Sequence, residues 1–471
     1  MELFVLIDLG STFTKVVAID LEQEEVLGVS QAISTATEDV TAGMGEALQK
    51  LIVRGKPITE MEVDARLVCS SACGGLKVVS VGLIPELTLE AAKRAALGAG
   101  AKVTGAYSHE ITAEDLETLE KYPCDLVLLT GGTDGGDKKS VVNNAKVLAG
   151  SRIDCPVVFA GNKGAKKEVL SILQEAGKYV EAAENVLPEL DRLNVEPVRS
   201  CIRDLFIKRI TRAKGLDVVS RSVGDIIMPT PTAVLTAAAL LADGTKEEPG
   251  LGDLLVVDVG GSTTDVHSVA KGCPTRLNTA VKGLPEPYVK RTVEGDLGMR
   301  SNASSILDVG GKERLLKNML SPDTLSMNDL ELERSVEMRS RDIGYFPQKE
   351  DEFLVDVGLA RTALEVATER HAAVLHEVYT RDGIIHLQEG KDLTEVKTVI
   401  GTGGIFAYGS DPAWILEGTL FDNGNPLILK PRRPDFYIDE RYILYAVGLL
   451  SGVSPTKALR VGKRYLKRLE R

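Results

Sequence analysis

Asp8-Leu9-Gly10-Ser11-Thr12-Phe13-Thr14-Lys15 is the stretch on which the fold turns. It follows the apolar run Phe4-Val5-Leu6-Ile7 and leads into Val16, Val17 and Ile19. The pattern is a buried strand ending in an acid, a turn of small residues, then a strand of β-branched residues. The same grammar returns much later, where Asp258-Val259-Gly260-Gly261-Ser262-Thr263-Thr264-Asp265 follows Leu254-Leu255-Val256-Val257 and leads into Val266 and Val269. Taken singly, either run is weak evidence, since an ordinary β-turn remains an alternative reading. Together, in this order, they read as two facing phosphate hairpins.

The chemistry asks for these residue types. Glycine lets backbone N–H groups approach phosphate oxygens, and Ser or Thr hydroxyls add neutral donors. Gly10, Ser11 and Thr12, with Gly260, Gly261, Ser262 and Thr263, are therefore the candidates for cradling the β- and γ-phosphates of ATP or ADP. Asp8 and Asp258, at the strand ends, are the candidates for holding hydrated Mg²⁺, which keeps most of its waters and takes one or two carboxylates. Lys15 lies beyond the turn, and an ordinary strand lysine is the better reading than a phosphate ligand. A third element, Val399-Ile400-Gly401-Thr402-Gly403-Gly404-Ile405-Phe406, runs an apolar strand end into glycines before a helix. Gly401, Gly403 and Gly404 suit close packing beside an adenine and ribose.

The three motifs in this order resemble the superfamily of actin, hexokinase and the seventy-kilodalton heat-shock chaperones. A narrower resemblance, to the glutamate mutase accessory family called MutL or GlmL, is carried by Cys69-Ser70-Ser71-Ala72-Cys73-Gly74-Gly75-Leu76, by Thr130-Gly131-Gly132-Thr133-Asp134-Gly135-Gly136, and by Arg291-Thr292-Val293-Glu294-Gly295-Asp296-Leu297-Gly298-Met299-Arg300. The resemblance implies an α/β fold of two actin-like (ribonuclease H-like) halves around a nucleotide cleft. It implies a slow Mg²⁺-dependent ATPase that reactivates an adenosylcobalamin-dependent mutase, such as glutamate (methylaspartate) mutase or a related aminomutase. Asp265 matches the last aspartate of the second phosphate motif, which would orient the attacking water; Asp8, Asp258 and Asp265 are then the catalytic set. Other readings within reach are a small-molecule kinase of the same superfamily, an activator ATPase of a 2-hydroxyacyl-CoA dehydratase, and a nucleotide-dependent scaffold.

With 471 residues the chain exceeds what one hydrophobic core usually serves, so two to four subdomains are expected. A net charge of −12 argues against nonspecific nucleic-acid binding, which needs Lys and Arg to displace counterions. No apolar run reaches the ~18 residues of a membrane span, and Met1-Glu2-Leu3 shows no basic leader, so a cytoplasmic protein without a membrane role is expected. The basic tail Lys457–Arg471 reads as a solvated helix rather than a polyanion patch. Six cysteines without paired close spacings read as reduced thiols.

Along the chain, 1–77 is the first part of the N-terminal half, with strands over 3–20 and 26–34 and a helix entered at Thr37-Glu38-Asp39. Alternating strands and helices over 78–180 imply right-handed βαβ units, hence an inserted flavodoxin-like doubly wound domain. Its loop at Gly131–Asp137 lies where such sheets bind ligands, and equally suits a tight strand–helix turn. Residues 181–252 return to the N-terminal half, with a helix expected over Pro188–Lys214. The C-terminal half spans 253–471, with a helical insert near 280–395 that includes helices at Leu330–Arg341 and Val355–Tyr379. Glu294-Gly295-Asp296 between Arg291 and Arg300 is either a nucleotide-sensing or partner loop or a surface ion cluster. Asp265-Val266-His267 resembles, but does not complete, the pattern of a histidine below a corrin. A protein partner is implied, with a homodimer open.

Overall fold

A computed structural model describes residues 1–35, 40–71, 76–210, 226–319, 329–381 and 383–470. The helix entry at Thr37-Glu38-Asp39 and the Ala72–Gly75 part of the cysteine-glycine run lie outside them. The chain forms two compact units, one of 1–69, 233–282 and 288–471, the other of 70–232 with 283–287.

In the first unit the opening hairpin pairs Leu3–Leu9 with Phe13–Asp20, and Glu25–Ile33 adds antiparallel to it. Leu3 to Leu9 is buried throughout, so the strand is a continuous apolar run broken by one acid, Asp8. The second sheet is ordered Val289–Glu294, Thr264–Val269, Leu254–Val259, Thr398–Thr402, Asp435–Asp439, Leu466–Arg468. Its hairpin is antiparallel, while Thr398–Thr402 and Asp435–Asp439 run parallel to the strand Leu254–Val259 and to each other.

Strand alternation sets which face of this sheet Asp258 and Asp265 occupy. Leu255, Val257, Val259 and Val266 join Leu359, Ala363 and Ala367 of the helix Glu350–His371 in one core. Asp258 and Asp265 alternate with those residues and so stand on the opposite face.

Strands Leu76–Gly82, Ala101–Ser108, Leu126–Leu129, Val157–Phe159 and Val180–Ala182 of the second unit are all parallel. Numbered along the chain their order is 2-1-3-4-5, the doubly wound flavodoxin-like order. Helices Glu90–Gly98, Ala113–Lys121, Lys139–Ala149 and Lys166–Glu175 fall between them, and Val79, Val127, Leu129, Val141, Phe159 and Val169 share a core. The expected 78–180 stretch lies inside this unit.

Three local expectations change. The segment after Pro188 is irregular and the helix begins at Glu196, with Pro197 in its first turn, where a proline's missing N–H costs nothing; residues 211–225 are outside the described set. The helix expected to reach Tyr379 ends at His371, and Val374–Thr380 forms a hairpin with Gly383–Glu389 because its β-branched and aromatic side chains suit a pleated strand. The 280–395 stretch thus holds strands as well as helices, Val289–Glu294 belonging to the main second sheet. The basic tail is the helix Pro455–Arg464 and a short strand, and several of its cations meet carboxylates: Lys457 on Glu2, Arg460 on Glu24 and Glu248, Lys463 on Glu248 and Arg468 on Asp435.

Candidate functional site

Both turns close the same way. Gly10 N–H donates to Phe13 O at 3.1 Å and Gly260 N–H to Thr263 O at 2.9 Å. A Cβ on Gly10 would stand 2.4 Å from Phe13 O, so the tight turn admits glycine alone. The turns meet tip to tip: Ser11 and Ser262 hydroxyls are 3.5 Å apart, and a Cβ on Gly261 would lie 2.9 Å from Thr12 Oγ1. The third element arrives beside them. Gly403 has φ 114°, and a Cβ there would stand 2.5 Å from Val259 O and 3.2 Å from Asp258 Oδ1. Gly401 admits the Phe406 ring, 2.9 Å from where its Cβ would be, whereas Gly404 faces open space.

The two hairpins look alike in sequence and differ in charge. In the first, Asp8 lies directly across from Lys15, whose ammonium is 2.6 Å from Asp8 Oδ2. Burial alone would lower the Lys15 pKa, but Asp8, Tyr442 and Asp258 outweigh it and hold the group well above its ordinary value. The ammonium also sits 3.8 Å over the Tyr442 ring and 5.5 Å from that of Tyr445. Tyr442 takes φ 55°, a left-handed conformation costly for a bulky side chain.

In the second hairpin the residue across from Asp258 is another acid, Asp265. Like charges directly opposed on a sheet repel. Arg291, from the neighbouring strand, relieves half of the problem: its Nη2 and Nε lie 2.6 and 2.8 Å from Asp265 Oδ1, and Thr263 Oγ1 donates to Oδ2 at 2.9 Å. No ion pair reaches Asp258 among the described residues. Burial pushes its pKa up to about 7; Lys15 counters this, while Asp265, Asp8 and Asp439 add repulsion.

Asp439 completes the acidic group. It accepts from Thr402 Oγ1 at 3.0 Å and from the N–H groups of Ile443 and Leu444 at 2.9 and 2.8 Å, and burial raises its pKa. Four carboxylates thus face two cations, Lys15 and Arg291. Asp8, Asp258 and Asp265 gather with the glycines and hydroxyls of all three motifs, and Asp258 has the environment that most favours an added cation. A set of three or more His, Cys, Asp or Glu arranged to chelate a metal directly does not occur among the described residues.

The run 291–300 proves to be the backing of the second turn. Met299 N–H donates to Gly260 O, and Arg300 and Ser301 N–H groups donate to Gly261 O at 3.1, 2.8 and 2.9 Å. Asn302 Nδ2 bridges Ser262 O and Gly295 O, and Gly298 is forced, since a Cβ would stand 2.3 Å from the Ser262 carbonyl carbon. Arg370 grips Glu294 and Asp296 together, and Arg300 shares the buried Asp356 with the fully buried Arg339. From sequence, Asp439 and Tyr442 are not singled out, Lys15 reads as an ordinary strand lysine, and Arg291 and Arg300 enter only as flanks of a loop that is either nucleotide-sensing or partner-contacting or a surface ion cluster. The signal for Lys15 was its position across the hairpin from Asp8; the others come from strands and helices whose neighbours no local pattern fixes.

In the inserted unit the Gly131–Asp137 loop is braced from below. Asn162 Nδ2 donates to Gly136 O and Asp137 O, Asn185 Nδ2 to Gly132 O and Asp134, and Lys163 N–H to Asp134. Burial opposes ionisation of Asp134, but these donors prevail and lower its pKa. Among the described residues no helix is long and apolar enough to cross a membrane.

A family model described as MutL protein matches residues 4–466. Protein MutL of Clostridium tetanomorphum is 45% identical over 468 residues, covering 99% of each chain. Among solved structures, a glycerol dehydratase reactivase aligns over 96% of this chain and 99% of its own at 11% identity and a TM-score of 0.35. A xylulose kinase from Lactobacillus acidophilus aligns over 100% and 93% at 8% identity and a TM-score of 0.34. A short-chain flavodoxin covers 27% of this chain and 94% of its own, at 16% identity and a TM-score of 0.21. At such TM-scores the structural likenesses carry no argument about chemistry.

Proposed function

We propose, for a chain that belongs to the MutL protein family, a Mg²⁺-dependent ATPase that serves as the accessory, reactivating protein of an adenosylcobalamin-dependent mutase. The observation that carries the nucleotide half of this reading is Asp258, a carboxylate opposed by Asp265 and left without an ion pair among the described residues, where two glycine-hydroxyl turns meet. An excess of carboxylates repels a bare triphosphate and welcomes one that carries a divalent cation. Mg²⁺, held through water by Asp258 with Asp8 near by, would neutralise phosphate charge.

The chain's own groups supply positioning, which is most of what phosphoryl transfer needs. The backbone of Gly10, Gly260 and Gly261 and the hydroxyls of Ser11, Thr12, Ser262 and Thr263 hold the phosphates, and Gly401, Gly403 and Gly404 leave room for the nucleoside. Asp265 orients the attacking water while Arg291 and Thr263 fix the direction of its carboxylate. The mutase partner rests on family membership, and the flavodoxin-like unit is the proposed contact, having the broad architecture of a cobalamin-binding domain.

The test has two arms. Calorimetric titration should give ATP binding that requires Mg²⁺ in the native protein and is lost in Asp258→Asn, with slow ADP release in single-turnover assays. Capture from the source organism with ATP or ADP present should retain mutase subunits. Mg²⁺-independent binding, or full turnover in Asp258→Asn, refutes the site; a nucleotide-sensitive partner of another class refutes the mutase.

A further inference from the structure

Two cysteines of the inserted unit enter its sheet side by side. Cys124 stands two residues ahead of the strand Leu126–Leu129, and Cys155 two ahead of Val157–Phe159. Those strands are adjacent and parallel, with Val127 level with Val157. Each thiol is flanked by a proline, Pro123 and Pro156, which restricts the backbone, and Val127 N–H donates to Pro156 O at 3.0 Å. The outcome is an Sγ–Sγ separation of 3.3 Å. Both thiols are half-buried, in contrast to Cys69, which is sealed in the core of the other unit.

We propose that Cys124 and Cys155 are a redox-modification site, a dithiol that a peroxide oxidises to an intramolecular disulfide across the base of the inserted sheet. The geometry is the main ground: the sulfurs already touch, and small oxidants can reach them. Their electrostatics give the order of events. The hydrogen bond from Cys155 holds the Cys124 thiol below its ordinary pKa, and the same bond together with burial pushes Cys155 up. Cys201 is placed oppositely, 3.7 Å from Glu181 Oε2 and pushed up to about 12 by burial.

The Cys124 thiolate attacks one peroxide oxygen; the O–O bond breaks, a sulfenic acid forms and the first water leaves with the Cys124 proton. Cys155 sulfur then attacks the Cys124 sulfur; the S–O bond breaks, the S–S bond forms, and the departing hydroxide takes the Cys155 proton as the second water. The two thiols lose two electrons in all, and the peroxide gains them. The new bond encloses the strand Leu126–Leu129, the Gly131–Asp137 loop and the helix Lys139–Ala149. It constrains the unfolded chain, and in the folded one it asks the two sulfurs to close from 3.3 Å to about 2.05 Å.

The experiment treats the full-length reduced protein with hydrogen peroxide, counts free thiols by maleimide labelling, and maps the link in an unreduced digest. Of the six thiols, two should be lost together, the linked peptides should carry Cys124 and Cys155, and dithiothreitol should restore both. The oxidised protein should melt several degrees above the reduced one. Cys124→Ser and Cys155→Ser should each abolish the link and the Tm rise, with Cys201→Ser retaining both. Retention of all thiols, a link that maps elsewhere, or accumulation of sulfinic acid on Cys124 without a link overturns the proposal. The wild-type map alone decides it should a variant fold poorly, and no arm depends on nucleotide binding.

Discussion

Replacing Lys15 by Met tests the asymmetry between the two hairpins. The change keeps the length of the side chain and removes the ammonium 2.6 Å from Asp8, whose side chain is 1% exposed. Stripping one partner from a buried ion pair costs about 3–5 kcal/mol because the other charge remains. Lys15 is 13% exposed and Cys69 Sγ still donates to Asp8 at 3.7 Å, which places the loss at the low end, about 3 kcal/mol. At roughly 2 °C per kcal/mol for a protein of this size, the Tm falls by about 6 °C. Because Asp8 and Tyr442 hold the Lys15 pKa above 10.5, the contribution of the pair stands below pH 10.5 and fades only as the pH rises through the higher folded-state value.

Scanning calorimetry of the native protein, Lys15→Met, Asp8→Asn and the double variant gives the coupling, expected at about 2 kcal/mol in favour of the pair. Magnesium supplies the second reading. If Asp8 also takes part in holding the ion, the carboxylate freed by Lys15→Met binds it more tightly, and Mg²⁺ at about 100 times its Kd returns about 2.7 kcal/mol. A loss below about 1 kcal/mol, or a double variant no more stable than Lys15→Met, refutes the pairing argument. Persistence of the loss at saturating Mg²⁺ refutes Asp8 as a metal ligand and leaves Asp258 alone in that role.

Other consequences are more local. His267 is fully buried, neither ring nitrogen is hydrogen bonded among the described residues, and burial lowers its pKa to about 3; its neutral form therefore stabilises the fold fully above pH 6.5, and that contribution drains away as the pH falls towards 3. Urea titrations should show a steeper acid decline in the native protein than in His267→Phe, and equal declines would remove His267 as the cause. Gly403→Ala must place a Cβ 2.5 Å from Val259 O at φ 114°, costing about 1–3 kcal/mol and weakening nucleotide binding, so unchanged melting would show that the turn relaxes freely. Arg300→Ala removes one of two guanidinium partners of Asp356, leaving Arg339 in place, and should cost about 2 kcal/mol while loosening the 295–302 backing of the second turn. Hydrogen exchange at Gly261 and Ser262 should rise; protection equal to the native protein would detach Arg300 from that turn.

What the sequence determined by itself was whatever a short segment settles. The hairpins Leu3–Asp20 and Leu254–Val269 were legible because a continuous apolar run, an acid at the strand end and a glycine turn all lie within a few residues. The inserted sheet was legible as an alternation of strands and helices, though its 2-1-3-4-5 order came only from the structure. Membership of the family was carried by runs of identity, including Arg291–Arg300, whose structural task those letters did not disclose.

Tertiary structure decided which charges meet. Asp8 and Asp258 occupy equivalent positions in near-identical turns, yet one faces Lys15 and the other Asp265, and Asp265 is answered by Arg291 from a strand that only the folded sheet lays beside it. Tyr442, from the far end of the chain, covers Lys15, and Asp356 on a long helix anchors the loop behind Gly261. The switch from helix to strand after His371 stands between the two: β-branched and aromatic residues favour the strand Val374–Thr380, and pairing with Gly383–Glu389 completes it. Local sequence fixes backbone geometry over a few residues. The balance of buried charge, on which binding chemistry depends, is summed over every segment that packs within a few ångströms, however far apart those segments lie along the chain.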